Sequence, residues 1–474
     1  MSSHIAAAAS ASRRIDWVLV ITHAVAGRLS NGVPASGDTR NSVKIEASLG
    51  LARPPLPSTL FVHSSDMNPF VPPNIVCMVD DLLLRVNMGK GPFSLSPDDC
   101  DYFIYRAHAD HPSLQRLQRP HPFFHDSDVG LLPRPDGQYM VAALIATSTA
   151  HEYTLYLFDS AIQKWRCSTV FVKEPQREFP VNIPVDSARL HHHVTTTVIT
   201  IGGDGGTMGW VDLWRGILFP SLRGVPLPLP LKELSYNDGM GMKLGSPGQR
   251  RGIAFIREES CLKFVHLEVR DVRLRAKADK TGAPYFRTDN WVVTTWTKSK
   301  MTNTFDDWHP DSEVEASDIT IDDPAVSQAL DSVLLRRPQG NGDAVEKLAL
   351  NNLSMSQPTV SVSSNHVFLA ARQKYMDPQA WILAVDVKNH KLEAVVNLGD
   401  QCHYGAAVLY FPSRIPRHLN PMEFFDRATT PAFRSAVSVF SGMPLGHGAM
   451  LLGKMGRTRA AWGGERHGRL PHES

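Results

Sequence analysis

The stretch FDDWHPDSEVE gathers Asp306, Asp307, Asp311, Glu313 and Glu315 around Trp308 and His309. Paired carboxylates cleave glycosidic bonds when a cleft holds them about 5 to 10 Å apart. Adjacency along the chain does not set that separation, and an exposed acidic loop beside a buried Trp is the plainer reading. His191, His192 and His193 invite a metal. On a strand only His191 and His193 share a side, and a site needs further ligands and supporting groups. His266-Leu267-Glu268 resembles half of a zinc-deaminase signature, but no Pro-Cys-x-x-Cys follows. No G-x-S-x-G elbow is present, and no cysteine sits in a catalytic context. The sequence therefore assigns no catalytic, cofactor-binding or metal-ligating residue, and no cofactor.

The glycine cluster GGDGGTMGWVDLWRG, residues 202 to 216, raises the possibility of a phosphate cradle. A dinucleotide fingerprint needs G-x-G-x-x-G between a strand and a helix. Here the third glycine is missing and WVDLWRGILF alternates like a strand. No Lys-Ser/Thr pair supplies a P-loop. The glycines are expected to give positive φ in a hairpin turn.

The elements that must position these residues read as strands. NWVVTTWTK alternates β-branched and aromatic residues with period two. NIVCMVDDLLLRV reads as strand, Asp80-Asp81 turn, strand; VGLLPRPDGQYMVAALIA has its turn at Pro135-Asp136-Gly137. A unit recurs: an apolar run leads to Asp159 or Asp386, and six positions later Trp165 or Leu392 opens the next run. Such an Asp accepts hydrogen bonds from the backbone N–H groups of its own turn. Asp212 heads a tighter version.

Grouping these hairpins gives units of propeller-blade size. Five groups start near Leu60, Val129, Thr195, Gly252 and Pro358. A sixth is expected to pair the N-terminal strands, Asp16 to Thr22 and Val43 to Leu49, with Ala407 to Phe411, closing the ring and removing sheet edges. The fold class is all-β, a propeller-like ring of about six antiparallel blades. One short helix is expected at DDPAVSQALDSVLL, where Asp323 caps and Pro324 takes the first helical position. Residues 1–14 read as a flexible leader, 15–412 as the β domain with a polar insertion at about 298–357, and 413–474 as a disordered tail.

Over all 474 residues the net charge is +2, with 42% hydrophobic and 20% charged residues. That suits a globular chain and argues against a nucleic-acid footprint. The exception is the tail, where nine Lys/Arg face four Asp/Glu; binding of nucleic acid or an acidic partner there is an alternative function. No apolar run long enough for a membrane helix appears. Cys77, Cys100, Cys167, Cys261 and Cys402 are scattered, as expected of reduced thiols in an intracellular compartment, cytoplasmic or nuclear. The Ala/Ser/Arg-rich N-terminus also fits a chloroplast transit segment, and the sequon at Asn352 is read as accidental. Segments Val225 to Leu231 and Arg53 to Pro57 favour extended, polyproline-like connectors.

The blocks GWVDLWRGILF…LRGVPLPLPL, YTLYLFDSAIQKW, NWVVTTWTK…DDWHPDSEVEASDI, PTVSVSSNHVFLAAR and AWILAVDVKNHKLEAVVNLG resemble a plant family, expanded in grasses, known as domain of unknown function 1618. The resemblance covers roughly Asp16 to Tyr410. It implies no activity, cofactor or catalytic residue. The family's strand pattern is similar to that of F-box-associated propellers, although this N-terminus enters a strand directly and has no F-box. The resulting expectation is a non-enzymatic binding module whose partner is another protein. A carboxylate-dependent hydrolase on the same scaffold is the alternative.

Overall fold

The computed structural model describes residues 17–415, except 30–33, 95, 109–110, 119–123, 150, 173–192, 203–205, 220–226, 229–246, 279–283, 301–306, 339–344, 364, 375–376, 378 and 400–409. The chain opens with β1 (Val18–Ile21) and then folds into successive four-stranded sheets. The first holds β2 (Val25–Ala26), β3 (Ala35–Asp38), β4 (Lys44–Gly50) and β5 (Thr59–His63). The second holds β6 (Asn74–Met78), β7 (Leu82–Asn87), β8 (Cys100–Arg106) and β9 (Ser113–Arg116). The third holds β10 (Val129–Pro133), β11 (Tyr139–Ala146), β12 (Glu152–Asp159) and β13 (Lys164–Phe171). The fourth holds β14 (Thr197–Ile201), β15 (Thr207–Asp212), β16 (Gly216–Leu218) and β17 (Leu227–Pro228). The fifth holds β18 (Arg251–Ile256), β19 (Cys261–Ala278), β20 (Pro284–Lys298) and β21 (His309–Glu315). A helix, α1 (Pro324–Ala329), and a small pair, β22 (Arg336–Pro338) and β23 (Val345–Lys347), precede the sixth sheet. That sheet holds β24 (Ser354–Val360), β25 (His366–Arg372), β26 (Ala380–Asp386) and β27 (Lys391–Gly399), and β28 (Tyr410–Ser413) ends the described chain.

Sheets two to six are antiparallel meanders. The first differs, because β5 pairs antiparallel with β4 and parallel with β2. β1 pairs antiparallel with β28 from Val18–Ser413 to Ile21–Tyr410. A parallel bridge from Val20 to Ser58 carries that pair onto the edge of β5. The N-terminal strand therefore pairs with the strand near residue 410, as expected, but the two form a sheet of their own, joined to the blade that holds the Val43 to Leu49 strand by this bridge and not as a ladder. The starting point of one group is corrected. The Leu60 strand does not open a new blade but pairs back onto β4, and the second blade starts at Asn74.

Six apolar clusters lie between neighbouring blades and account for the ring. Val76 and Leu83 pack against Val129 and Val141, joining blades two and three. Met140 and Leu144 meet Met208 and Trp210 between blades three and four. Val211 and Ile217 meet Phe264 and Trp308, and Val265 and Trp291 meet Leu369 and Leu383. The alternation that buries one face of each strand supplies these layers. Closure comes from β1, whose Leu19 and Ile21 pack on Phe368 and Ile382 of blade six. Val18 and Val20, on its opposite face, pack on Ile45, Leu60 and Leu84. Close approach between blades five and six needs Gly252, since a Cβ there would stand 2.2 Å from the Pro358 carbonyl oxygen.

The turns follow the residues that define them. Ile201 pairs with Thr207, and Gly202 takes φ +89°, so the glycine cluster joins two strands as a hairpin; Gly203 to Gly205 lie outside the described residues. Asp159 Oδ1 accepts from Ala161 N at 2.9 Å, and Asp386 Oδ1 accepts from Lys388 N and Asn389 N at 3.0 Å each. Asp323 caps α1 by accepting from Ala325 N at 2.8 Å. The leader and residues 416–474 of the tail lie outside the described residues. No helix among the described residues is long and apolar enough to cross a membrane.

Candidate binding channel

The innermost strands β6, β14, β18 and β24, with Phe411 of β28, line a cavity of about 530 Å³. Its walls are mostly β-branched and apolar, because residues that alternate on these strands face either the channel or a neighbouring blade. Charge is concentrated at its ends. Where β6 begins, Asp126 accepts from Arg85 Nη1 and from Asn74 Nδ2, both at 2.9 Å. His23 sits beside them; burial pushes its pKa down, Arg85 lowers it further, and Asp126 opposes. At the end where β6 and β18 finish, Arg257 Nη2 reaches Asp80 Oδ2 at 3.4 Å. These residues belong to blades five and two, on opposite sides of a six-membered ring, so the pair spans the channel. Arg414 binds Glu258 with two guanidinium nitrogens and also donates to the Val362 carbonyl at 3.2 Å. Ser413 Oγ donates to the Val79 carbonyl at 3.2 Å. These partly exposed pairs contribute little stability each; their effect is to close one end. The Cys77 thiol also lines the cavity, and burial with the nearby Asp126 charge pushes its pKa up. It stays protonated at neutral pH and is a poor nucleophile.

The WVDLWRG block is a cement between blades. Trp210 Nε1 donates to the Asp128 carbonyl at 2.7 Å, tying blade four to the turn before blade three. Asp212 accepts from Trp214 N and Val194 N, each at 2.9 Å. Arg251, buried at the start of blade five, lies 4.3 Å from the Trp214 ring centroid and donates to the Leu213 carbonyl at 3.0 Å. Its Nε donates to His266 Nδ1 at 3.2 Å. Burial lowers the guanidinium pKa to about 9, against the pull of Asp212, so it stays charged at neutral pH. His193 keeps some exposed surface, but its Nε2 is sealed from solvent and has no hydrogen-bond partner among the described residues. Burial holds its pKa down at about 4, with Asp212 opposing.

The residues weighed from sequence are not brought together into a reaction centre. His191 and His192 lie outside the described residues, and His266 is taken up by Arg251. The C-terminal part of the acidic stretch, His309–Glu315, forms β21, the outermost strand of blade five, within the span read as an insertion. Asp307 pairs with Lys298 at 3.5 Å, Glu313 accepts from Thr294 Oγ1 at 3.2 Å, and Glu315 accepts from Asn290 Nδ2. None of these carboxylates lines the cavity, and Asp306 is outside the described residues. The hydrolase alternative therefore lacks its cross-cavity pair among the described residues. Sequence reasoning took Asp80 only as a turn residue and missed Arg257, Glu258 and Arg414. The usable signal was position: Asp80, Arg257 and Glu258 sit in turns that directly follow innermost strands.

With this geometry in hand, residues 210–368 match the family described as "Protein of unknown function (DUF1618)". The matched segment runs from Trp210 in β15 through the whole of blade five to Phe368 in β25. No curated protein matches the chain. Among the solved structures similar to it are two from different enzymes. One comes from a structural and mechanistic analysis of two prolyl endopeptidases, with 11% identity, 68% of this chain and 41% of that chain covered, and a TM-score of 0.27. This chain thus spans about two fifths of that endopeptidase's length. The other is MPT-4, a mannose phosphorylase from Leishmania mexicana in complex with phosphate ion, with 8% identity, 80% and 93% covered, and a TM-score of 0.21. At these TM-scores neither likeness bears on chemistry here.

Proposed function

We propose that this DUF1618-containing chain is a non-enzymatic binding module that recognises another protein through one end of its ring. The observation that carries this reading is the state of the cavity's carboxylates. Both that line it, Asp80 and Asp126, are held by guanidinium groups, from Arg257 and Arg85 respectively. Each carboxylate is engaged by a neighbouring side chain of the ring instead of being presented singly to a bound molecule, and the two lie at opposite ends of the cavity.

The recognition end is the one where innermost strands begin. There the loops at 64–73 and 88–99 are stapled together: Asn68 Nδ2 donates to Asn87 Oδ1 at 3.1 Å and to the Gly91 carbonyl at 3.0 Å. These loops expose Phe70 and Phe93, the latter 84% accessible. At the same end of blade five, β19 and β20 continue as a two-stranded arm to the Ala278–Pro284 pair, well past the last β18 partner at His266. Exposed aromatics on a fixed loop pair are typical anchors for a partner.

The test is affinity capture from extract of the source organism, with the full chain and a Phe70→Ser/Phe93→Ser variant. The expected result is a partner retained reproducibly by the native chain and depleted at least tenfold by the variant. Equal capture by both, or no specific partner under several conditions, overturns the proposal.

A further inference from the structure

Away from the channel, blade six brings three potential ligands together. His366 comes from β25, Asp386 from the end of β26 and Glu393 from β27, and their ligand atoms all lie within 4.8 Å of one another. His366 stands directly opposite Asp386 in the ladder. Glu393 arrives by a different device. Leu392 pairs with Val385 and Ala394 with Ala384, leaving Glu393 as the extra residue of a bulge. A bulge re-aims a side chain that the regular alternation would place elsewhere.

The surroundings are those of an ordered site. Asp386 is buried, and its Oδ1 accepts from Lys388 N and Asn389 N at 3.0 Å each, while Oδ2 accepts from Asn389 Nδ2 at 2.7 Å. Hydrogen bonds of this kind orient a metal-binding carboxylate. The His366 ring stacks on Phe368 at 6.4 Å, which places an apolar wall behind it. The neighbouring cation, Lys391, is drawn aside by Asp322 at 2.6 Å. The outer side is open, with Glu393 about half exposed.

We propose that His366, Asp386 and Glu393 form a site for a divalent transition ion of the zinc class, with remaining positions open to water or to a ligand from a partner. One imidazole nitrogen and two carboxylate oxygens are a donor set this ion accepts. His366 Nε2 and Glu393 Oε2 stand 2.6 Å apart. Bond lengths of about 2.0–2.2 Å to one ion require roughly 3 Å between ligand atoms. Glu393, on the exposed side, swings out by that difference. His366 would ligate through Nε2 as the neutral imidazole with its proton on Nδ1, so the hydrogen bond to Glu393 gives way to the two bonds to the ion.

The experiment is a calorimetric titration of untagged, chelator-stripped full chain with zinc chloride, alongside His366→Ala and Glu393→Gln. Folding of each variant is checked by circular dichroism. The expected result is saturable binding by the native chain, with one equivalent lost or weakened at least about tenfold in both variants. Glu393→Gln keeps size and fold while removing the anionic ligand, so its loss is not a folding effect. Absence of saturable binding, or stoichiometry and affinity unchanged in both variants, overturns the site and leaves a His–Glu hydrogen bond only.

Discussion

At the scale of single residues, the molecule uses charge to bind its own parts together. Arg251 shows the logic: a buried guanidinium is costly, so it is stacked on Trp214 and hydrogen-bonded to Leu213 and His266. His193 shows the cost of burial more directly, and it gives a prediction with a definite sign. Burial holds its folded pKa at about 4, against a usual 6.5. The unfolded chain takes up a proton as pH falls through about 6.5, and the folded chain does so only near 4. The contribution of neutral His193 to stability is thus fully present above pH 6.5 and is lost as pH falls from 6.5 towards 4. Its slope there approaches about 1.4 kcal/mol per pH unit. His23, lowered in the same direction by burial, adds to it. Urea unfolding midpoints measured from pH 7 to 4 should therefore fall less steeply for His193→Gln than for the native chain. Parallel slopes would show that His193 is not held neutral by the fold.

At the scale of elements, the hairpin turn is the repeating device. The four-residue turns after β12, β18 and β26 all end in a non-glycine residue with left-handed backbone: Gln163 at φ 53°, Ser260 at 49° and His390 at 53°. Such residues carry a conformational cost that glycine avoids. Gln163→Gly is accordingly expected to raise stability by about 0.5–1 kcal/mol net of the entropy glycine adds to the unfolded chain. Asp159→Ala, which removes the bond to Ala161 N, should lower it by about 1 kcal/mol. Thermal melts of both variants check the two signs. These turns also mark what the sequence made legible. The Asp159 and Asp386 spacing could be read because a carboxylate opening a turn has a local partner. The pairing of the Leu60 strand could not. Its alternation is the same whether it joins β4 or β6, and the parallel contact with β2 has no local signature. The ends of the channel were hidden for a similar reason. Asp80 and Arg257 are 177 positions apart, and only the ring brings them together.

At the scale of the whole molecule, closure depends on one small element. Strand β1 has both faces buried: Leu19 and Ile21 face blade six, while Val18 and Val20 face blades one and two. Its backbone pairs with β28 on one side and bridges to Ser58 on the other, where Ile21 N donates to the Ser58 carbonyl at 3.1 Å. Four residues therefore hold the first and last described strands together and contribute to two blade interfaces. A charge placed there has no partner and cannot reach water without parting the ring. Val20→Asp, at a fully buried position, should cost about 3–5 kcal/mol by leaving an uncompensated buried charge. The damage should also be local at first, because interfaces between blades two to five have their own apolar layers. Native-state hydrogen exchange is the measurement: amides of β1, β28 and β26 should lose protection well before those of β11 and β15. Uniform loss of protection around the ring would instead mean that the six blades unfold as one unit, with no seam where β1 and β28 meet.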